Sequence, residues 1–169
     1  MAQKYLAAQF NKPGFDICNY HIWALGGDGC MMEGASSEAA SLAGHLKLNN
    51  LTWIYDNNKI TIEGSTDLAF TEEVATRYLS YGWQVQHVEG ENVQDIDRAI
   101  AKAKQSTRPS LIIARSHIGF GAPNKQDTHD AHGAPLGAEE LKLTKQFFDR
   151  DPDQTFVVPA DVTAHMGAA

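Results

Sequence analysis

The chain reads GDGCMMEG from Gly27 to Gly34, between an apolar run at residues 21–25 and a helical pattern. A strand, a tight turn bounded by glycines and a helix N-terminus together form a place where an anion can bind. Asp28 lies in that turn, and its carboxylate would repel a phosphate group. A divalent cation between the two would reconcile their charges, because Mg²⁺ prefers carboxylate, carbonyl and phosphate oxygens. The turn therefore predicts a phosphate-bearing ligand that binds together with a metal ion.

A second polar stretch, YDNNKI from Tyr55 to Ile60, stands at the end of another apolar run at residues 51–55. It supplies further oxygen atoms at the end of a predicted strand. If the two strands are parallel neighbours, their carboxyl ends meet, and open α/β sheets bind ligands at that edge. We therefore expect Asp28 and Asn58 to lie close together.

The composition is that of one soluble domain with a hydrophobic core. The chain has 169 residues, of which 43% are hydrophobic, and 14 Lys and Arg against 21 Asp and Glu give a net charge of −7. This charge argues against nucleic-acid binding, and no apolar run approaches the roughly 20 residues that span a bilayer. The cysteines, Cys18 and Cys30, suggest no disulfide framework. We expect no membrane partner and a reducing compartment, most simply the cytoplasm.

Strands and helices alternate along the chain. The patterns predict helices at residues 2–10, 36–48, 71–81, after Asn92 and at 138–148, and strands at 21–25, 51–55, 83–88 and 109–114. The strand at 21–25 is apolar enough to be buried on both faces. Ser36 or Ser37 should cap the helix at 36–48, whose predicted buried face consists of Ala39, Leu42, Ala43 and Leu46.

The alternation predicts an α/β fold with a doubly wound parallel sheet and helices on both faces. A chain that enters such a sheet through a helix and a buried strand resembles a domain entered part-way, so we expect the fold to be incomplete at its N-terminus. Residues 1–150 are predicted to form one diphosphate-binding domain, and residues 151–169 an irregular tail or linker.

These residues resemble those of thiamine-diphosphate enzymes, and those of transketolase in particular. A Gly-Asp-Gly turn, a helix and a closing Asn-Asn are similar to the thiamine-diphosphate fingerprint, and Asn58 follows Asp28 by 30 positions, as that fingerprint expects. The sequence from Gly27 to Gly64 resembles the diphosphate half of transketolase. IGFG at residues 118–121 and HDAHGAPLG at residues 129–137 resemble the same family in the same order. The fold implied is the thiamine-diphosphate-binding fold.

The resemblance implies a site for thiamine diphosphate and Mg²⁺, or Ca²⁺ or Mn²⁺ in its place. Asp28, the amide oxygen of Asn58 and the backbone carbonyl of Ile60 would bind the metal, and two diphosphate oxygens and a water would complete six-coordination. Asp28 could instead be a turn residue that bonds local N–H groups, and Ile62, expected at the cofactor ring, could be a core residue. The full cofactor set implied is Gly27, Asp28, Gly29, Cys30, Glu33, Asn58, Ile62 and His132.

His132 receives a catalytic role from the resemblance. It would lie beside the diphosphate and the substrate, where an imidazole can donate a hydrogen bond or move a proton. His129 and His132 have HxxH spacing, so a zinc site is conceivable, although no third ligand of the right type is nearby. Glu33 would join an acidic network that links two cofactor sites across a dimer, whereas His117 is expected to be structural.

The activity implied is transfer of a two-carbon ketol unit between sugar phosphates. The family's enzyme also needs a pyrimidine-binding domain, so we expect this chain to supply the diphosphate and metal half, to be inactive alone, and to act with a complementary domain or chain in a homo-oligomer. Two alternatives stay open, namely another thiamine-diphosphate enzyme (deoxyxylulose-phosphate synthase or dihydroxyacetone synthase) and a non-catalytic remnant. Residues 119–137 favour transketolase, and the intact Asp28, Asn58 and His132 speak against decay.

Overall fold

The structure is a computed structural model that describes residues 1–168. Its strands are β1 (Ile22–Gly27), β2 (Leu51–Asn57), β3 (Ile60–Thr61), β4 (Gly64–Ser65), β5 (Gln84–Glu89) and β6 (Ser110–Arg115). Its α-helices are α1 (Ala2–Phe10), α2 (Asp28–Met32), α3 (Gly34–His45), α4 (Val74–Ser80), α5 (Val93–Lys104), α6 (Ala138–Phe147) and α7 (Ala160–Gly167).

The main sheet has the strand order β1-β2-β6-β5, and every neighbouring pair is parallel. The register places Gly27 of β1 beside Asp56 of β2, and Asn57 of β2 beside Arg115 of β6. The carboxyl ends of these three strands therefore meet at one edge of the sheet. β3 and β4 form a separate antiparallel hairpin directly after β2. The predicted α/β fold with a parallel sheet is confirmed.

Helices cover both faces of the sheet, as β6 shows. Leu111 and Ile113 belong to one core cluster, which also contains buried residues of α2, α3 and α4. Ile112 and Ala114 belong to a second cluster, formed with buried residues of α5. Since successive side chains of a strand point to opposite faces, β6 is buried on both sides and forms the centre of the fold.

The helix predicted after Asn92 is confirmed as α5. The side-chain oxygen of Asn92 accepts hydrogen bonds from the backbone N–H groups of Gln94 and Asp95, at 3.1 and 3.2 Å. This cap satisfies two donors that the first turn of a helix leaves free. The apolar face that packs against the sheet consists of Ile96, Ala99, Ile100 and Ala103.

The helix predicted at residues 36–48 forms as α3 with slightly different ends, and the short helix α2 that precedes it was not predicted. Glu33 separates them with an extended backbone (ψ 130°) and precedes the first residue of α3. Ser36 does not cap the helix through the N–H groups; its hydroxyl donates to the backbone carbonyl of Glu33 at 2.8 Å. The glycines early in this segment weaken its helical pattern, so the short helix that begins at Asp28 was not predicted.

The predicted buried face of α3 was also partly wrong. Small residues are buried, namely Ala40, Ala43 and Gly44, whereas Leu42 is 47% exposed. A Cβ atom added to Gly44 would lie 1.8 Å from the carbonyl oxygen of Tyr81, so α3 packs there through its backbone. α3 therefore buries the face that can approach the segment after α4 closely, and not the face with the larger apolar side chains.

β1 lies at an edge of the sheet, so the prediction that it is buried on both faces was wrong. Trp23 and Leu25 are 42% and 80% exposed. They share a face with Ile54 of β2, which packs against the α5 cluster. Because α5 contacts β5 and β6, its cover ends before it reaches β1.

The long segment between β6 and α6 packs through aromatic rings. Phe120 makes edge-to-face contacts with Phe147 and Phe148, at ring-centroid distances of 5.6 and 6.0 Å. Gly121 has φ +83°, and a Cβ atom there would lie 2.7 Å from the Phe147 ring. Both the backbone conformation and the close packing thus require glycine at this position.

The structure differs from the prediction in the last part of the chain. Residues 151–169 were predicted to be irregular, but α7 forms within them, and Ala169 lies outside the described residues. The proposed domain boundary at residue 150 stays a prediction. Among residues 1–168, no helix has both the length and the apolar character that crossing a bilayer requires.

Candidate functional site

A cavity of about 600 Å³ lies at the carboxyl ends of β1, β2 and β6. We call residues 27–30 and 58–60 its strand wall, and residues 116–119 together with His132 its loop wall. The structure thus brings together seven residues that the sequence analysis proposed for a cofactor or a metal, namely Gly27, Asp28, Gly29, Cys30, Asn58, Ile60 and His132.

Asp28 is the buried acidic group of the strand wall. It is the first residue of α2, directly after β1, and it is 3% exposed. The Tyr55 hydroxyl donates to Oδ1 of Asp28 at 2.7 Å, and the backbone N–H of Lys59 donates to Oδ2 at 3.0 Å. Lys59 has φ +66°, a left-handed conformation that occurs in the tight loop after β2. Each carboxylate oxygen is therefore held by one donor.

Tyr55 is a residue of this site that the sequence analysis missed. It is 1% exposed and lies in β2. Burial, together with the hydrogen bond to Asp28, raises the pKa of the Tyr55 hydroxyl far above its usual value. The hydroxyl therefore stays a donor at neutral pH. Tyr55 could have been found from the sequence, because it is the last residue of the strand predicted at residues 51–55. Its side chain therefore lies at the carboxyl end of that strand, where Asp28 was expected.

Asn58 and Ile60 are held in a compact loop between β2 and β3. The side-chain oxygen of Asn58 accepts a hydrogen bond from the Ile60 N–H at 3.0 Å, and its amide nitrogen donates to Oδ2 of Asp56 at 3.2 Å. An amide oxygen has two lone pairs, so one is left for another partner. The loop thus presents neutral oxygen atoms beside the Asp28 carboxylate.

The glycines of the turn differ in the structural reason for which glycine is needed. A Cβ atom on Gly26 would lie 2.7 Å from the Trp53 indole nitrogen, so packing excludes a side chain there. A Cβ atom on Gly29 would meet no heavy atom within 4 Å, and neither Gly27 nor Gly29 has a positive φ. Nothing within the described protein requires glycine at position 29. A ligand lying against the turn would require it.

The chemistry of the strand wall fits a hard divalent cation. No ion pair joins Asp28 to a basic side chain within residues 1–168, and a buried carboxylate without a cation carries a large desolvation cost. No group of three or more His, Cys, Asp or Glu in that range could hold a metal ion. One carboxylate with amide and carbonyl oxygens matches Mg²⁺, which keeps water and phosphate ligands, better than a zinc cluster.

Two proposed residues lie outside the cavity. Ile62 is 69% exposed at the turn of the β3–β4 hairpin, so the alternative that it is a core residue was wrong. Its contact with a cofactor ring stays a prediction. Glu33 is exposed between α2 and α3, and its role across a dimer also stays a prediction.

The loop wall carries two histidines with different surroundings. His132 is exposed, and its side chain makes no hydrogen bond or ion pair within the part of the chain that the structure describes. The Nδ1 atom of His117 lies 2.9 Å from both carboxylate oxygens of Asp127, and its backbone N–H donates to Glu91 at 3.0 Å. His117 was expected to be structural, yet it lines the cavity. His117 lies two residues after β6, so the end of this third predicted strand was the available signal.

Arg77 of α4 anchors the far end of α2. Its guanidinium donates to the Met31 carbonyl at 2.8 Å and to the Ser37 hydroxyl at 3.1 Å, and it forms an ion pair with Glu72 at 3.1 Å. These contacts hold the short helix that begins with Asp28. No local sequence signal indicates them, because Arg77 and Met31 are 46 positions apart.

A second cavity, of about 660 Å³, lies between α6 and the segment that follows it. It is lined by residues between 141 and 159, and it contains none of the proposed site residues. The strand-end cavity is therefore the candidate site.

An open parallel sheet with oxygen-bearing groups and a glycine turn at its strand ends is typical of the class of α/β domains that bind phosphate-bearing ligands. Comparison with known families agrees with this class. The sequence matches the family described as "Transketolase, thiamine diphosphate binding domain" over residues 1–169. The chain belongs to this transketolase family of thiamine diphosphate-binding domains.

Individual relatives are similar over nearly the whole chain. Transketolase of Geobacillus stearothermophilus is 49% identical over 170 residues, which cover 99% of this chain and 25% of the relative. Transketolase 1 of Saccharomyces cerevisiae is 51% identical over 168 residues, with 98% and 25% covered. The chain therefore spans about a quarter of the length of the curated relatives it matches.

Solved structures show the same fold. Transketolase from Leishmania mexicana superposes with a TM-score of 0.92 at 42% identity, covering 99% of this chain and 25% of that chain. A transketolase from Pichia stipitis, described as a complex with sedoheptulose-7-phosphate, gives a TM-score of 0.92 at 47% identity with the same coverage. The predicted fold is confirmed by this agreement in sequence and structure.

Proposed function

We propose that this chain binds thiamine diphosphate together with Mg²⁺, or with Ca²⁺ or Mn²⁺ in its place. The observation that carries the proposal is the buried Asp28 carboxylate beside Asn58 and Ile60 at adjoining strand ends, with no basic partner in residues 1–168. Membership of a thiamine diphosphate-binding family supports the identity of the cofactor.

Each part of the strand wall has a proposed task. Asp28, the Asn58 amide oxygen and the Ile60 carbonyl would hold the metal, whose charge would offset that of the diphosphate. Gly27, Gly29 and Cys30 bind the diphosphate through the backbone of the turn. This is supported by the open space above Gly29 and by the position of the turn at the start of α2.

His132 is proposed to hydrogen-bond the diphosphate and to move protons near the substrate. An exposed imidazole on the loop wall without a protein partner in the described range can serve either purpose. Thiamine diphosphate, when bound, supplies the chemistry that breaks and forms a carbon–carbon bond next to a carbonyl group. The chain's own residues bind and orient it.

The activity of the whole protein is proposed to be transfer of a two-carbon ketol unit between sugar phosphates. Support comes from relatives named transketolase and from one whose structure is described with sedoheptulose-7-phosphate. These names favour transketolase over deoxyxylulose-phosphate synthase and dihydroxyacetone synthase. A pyrimidine-binding domain or chain completes the site in this proposal, and Glu33 and Ile62 would face a partner subunit and the cofactor ring in a homo-oligomer. A cytoplasmic location belongs to the proposal and comes from the sequence alone.

Calorimetry tests the binding proposal. Thiamine diphosphate should bind the chain when Mg²⁺ is present, and excess chelator should abolish binding, because without the metal the buried Asp28 carboxylate would repel the diphosphate. Thiamine without the diphosphate is the matched control and should bind at least about tenfold more weakly. Binding that ignores the chelator, or binding of thiamine as tight as that of the diphosphate, would contradict the proposal.

Complementation tests the activity. The chain is mixed with the remainder of a related transketolase, and ketol transfer from a ketose phosphate to an aldose phosphate is followed. Activity should require both components. Turnover by the chain alone would show that a second domain is unnecessary, and a mixture without turnover despite cofactor binding would favour a non-catalytic role.

A further inference from the structure

Asp28 is held from β2 and from the loop after it. The hydroxyl of Tyr55 donates to one carboxylate oxygen at 2.7 Å, and the Lys59 backbone N–H donates to the other at 3.0 Å. Two donors on different oxygens fix the rotation of the carboxylate about its bond to Cβ. The backbone donor is present whatever residue occupies position 59, proline excepted, so Tyr55 is the side chain that controls this orientation.

The Tyr55 hydroxyl is itself held in place. Its ring is 1% exposed and belongs to the core cluster of α2, α3 and α4. β2 lies between β1 and β6, so its backbone is paired on both sides. The hydroxyl has one proton and two acceptors within reach, Asp28 at 2.7 Å and the Asn57 side-chain oxygen at 3.2 Å. The shorter contact is to the charged acceptor, as expected for a charge-assisted hydrogen bond.

Carboxylate orientation matters differently for different metals. Mg²⁺ requires near-octahedral geometry at about 2.0–2.1 Å, whereas Ca²⁺ accepts variable geometry at about 2.3–2.6 Å. Groups that hydrogen-bond a metal ligand and orient it commonly change metal affinity by about 10- to 100-fold when they are removed. A fixed Asp28 should therefore favour Mg²⁺ more than Ca²⁺.

We propose that Tyr55 is a positioning residue for the metal site, whose hydroxyl holds the Asp28 carboxylate in the orientation that Mg²⁺ requires. The residue does not touch the metal or the cofactor; it acts through Asp28. The inference rests on the proposed function, since it assumes that Asp28 is a metal ligand, and it adds a determinant of metal preference in the core of the sheet.

Tyr55→Phe is the variant that tests this inference, because it removes only the hydroxyl. Tyr78→Phe is its matched control. Tyr78 is 0% exposed in the same core cluster, and its hydroxyl contacts the Met31 sulfur at 3.5 Å but no proposed ligand. Both variants delete one buried hydroxyl, so a general loss of packing should affect them alike.

The measurement is the metal concentration at which thiamine diphosphate binding is half complete, determined separately with Mg²⁺ and Ca²⁺. Tyr55→Phe should raise the Mg²⁺ midpoint about tenfold and the Ca²⁺ midpoint less than about threefold. Tyr78→Phe should leave both within about twofold. Thermal unfolding of both variants is recorded alongside; without metal, Tyr55→Phe should melt at a somewhat lower temperature than Tyr78→Phe, because it leaves one buried carboxylate oxygen without its donor, and both should stay folded under the titration conditions.

The outcomes separate this inference from the proposed function. If the unaltered chain shows metal-dependent binding but Tyr55→Phe leaves the Mg²⁺ midpoint unchanged, or raises both midpoints equally, the inference is overturned and the proposed function stands. If the unaltered chain binds no cofactor with either metal, the proposed function fails and the inference fails with it.

Discussion

On the strand wall of the cavity, Asp28 is 3% exposed and both of its carboxylate oxygens accept hydrogen bonds, whereas on the loop wall the His132 side chain is exposed and has no hydrogen-bond partner within residues 1–168. The strand wall is therefore arranged before any ligand binds, at the ends of paired strands. On the loop wall, His117 already contacts Asp127 and Glu91, but the His132 side chain gains contacts only when a ligand is present. Preorganised ligand groups lose little freedom on binding, so we expect metal binding to depend on the strand wall and to be nearly independent of the loop wall.

The largest effect should come from Asp28→Asn. The change keeps the shape of the side chain but removes the charge that a cation needs, so metal-dependent binding of thiamine diphosphate should weaken by about 100-fold or more. Calorimetry with Mg²⁺ measures it. Asp97→Asn, an exposed carboxylate on α5, is the control and should bind like the unaltered chain. A loss of binding of threefold or less for Asp28→Asn would contradict the expectation that metal binding depends on the strand wall.

Asn58→Ala should have the next largest effect. It removes a neutral oxygen ligand and the hydrogen bond that Asn58 accepts from the Ile60 N–H at 3.0 Å. Loss of one neutral ligand should raise the Mg²⁺ midpoint about tenfold. Asn49→Ala, at an exposed position before β2, is the control in the same titration. Equal midpoints for the two variants would remove Asn58 from the strand wall's ligand set.

His132→Ala should have a smaller effect, and it should change cofactor affinity and not metal binding. Cofactor affinity at saturating Mg²⁺ should fall about three- to tenfold, because one hydrogen bond to the diphosphate is lost. The Mg²⁺ midpoint should stay within about twofold, since His132 is not a proposed ligand. His129→Ala, an exposed histidine that does not line the cavity, is the control. A Mg²⁺ midpoint that moves with His132 would show that the loop wall takes part in metal binding.

Glu140→Gln should have the smallest effect on binding. It extends the comparison of the two walls to the dynamics of the loop at residues 121–128. Glu140 of α6 accepts hydrogen bonds from the backbone N–H and the side-chain amide of Asn124, at 2.7 and 2.9 Å, and these bonds lower the pKa of Glu140. A lowered folded-state pKa stabilises the fold above the ordinary glutamate pKa, and this stabilisation is lost as the pH falls through the lowered value.

Hydrogen exchange followed by mass spectrometry measures this prediction. Glu140→Gln should speed exchange in residues 121–128 at neutral pH about threefold, because one charged acceptor is lost. The unaltered chain should lose the same protection on acidification, while the variant changes less. Glu139→Gln, exposed on the same helix, is the control. Cofactor affinity should stay within about twofold for both, and a Mg²⁺ midpoint that moves with Glu140→Gln would mean that metal binding at the strand wall is not independent of this loop.

Much of the fold was predictable from periodicity and caps. α5 and β6 came out as expected, because Asn92 marks a helix start locally and because a continuous apolar run indicates a strand buried on both faces. β1 was equally apolar, yet it lies at an edge with Leu25 80% exposed. Hydrophobicity alone does not reveal strand order, since an apolar strand has the same sequence pattern at the centre and at the edge of a sheet.

The site was predictable where its chemistry follows a strand end in the sequence. Asp28 and Asn58 line one cavity, as expected from two parallel strands whose carboxyl ends meet, and Ile60, which the family resemblance implied, lines it as well. Tyr55 and Arg77 were not predicted, because their roles come from contacts with residues 27 and 46 positions away. His117 lines the same cavity from the end of a third strand, β6, and its expected structural role stays a prediction.

The order of residues by itself determined the alternation of strands and helices, the glycine turn at Asp28 and the polar loop at Asn58, because local backbone preferences and side-chain periodicity fix these features. Only the tertiary structure decided that the buried Tyr55 hydroxyl meets the Asp28 carboxylate, that α3 packs through Gly44, and that β1 lies at the edge of the sheet. These features depend on which elements become neighbours. That choice is set by the packing of the whole chain and not by any short segment of it.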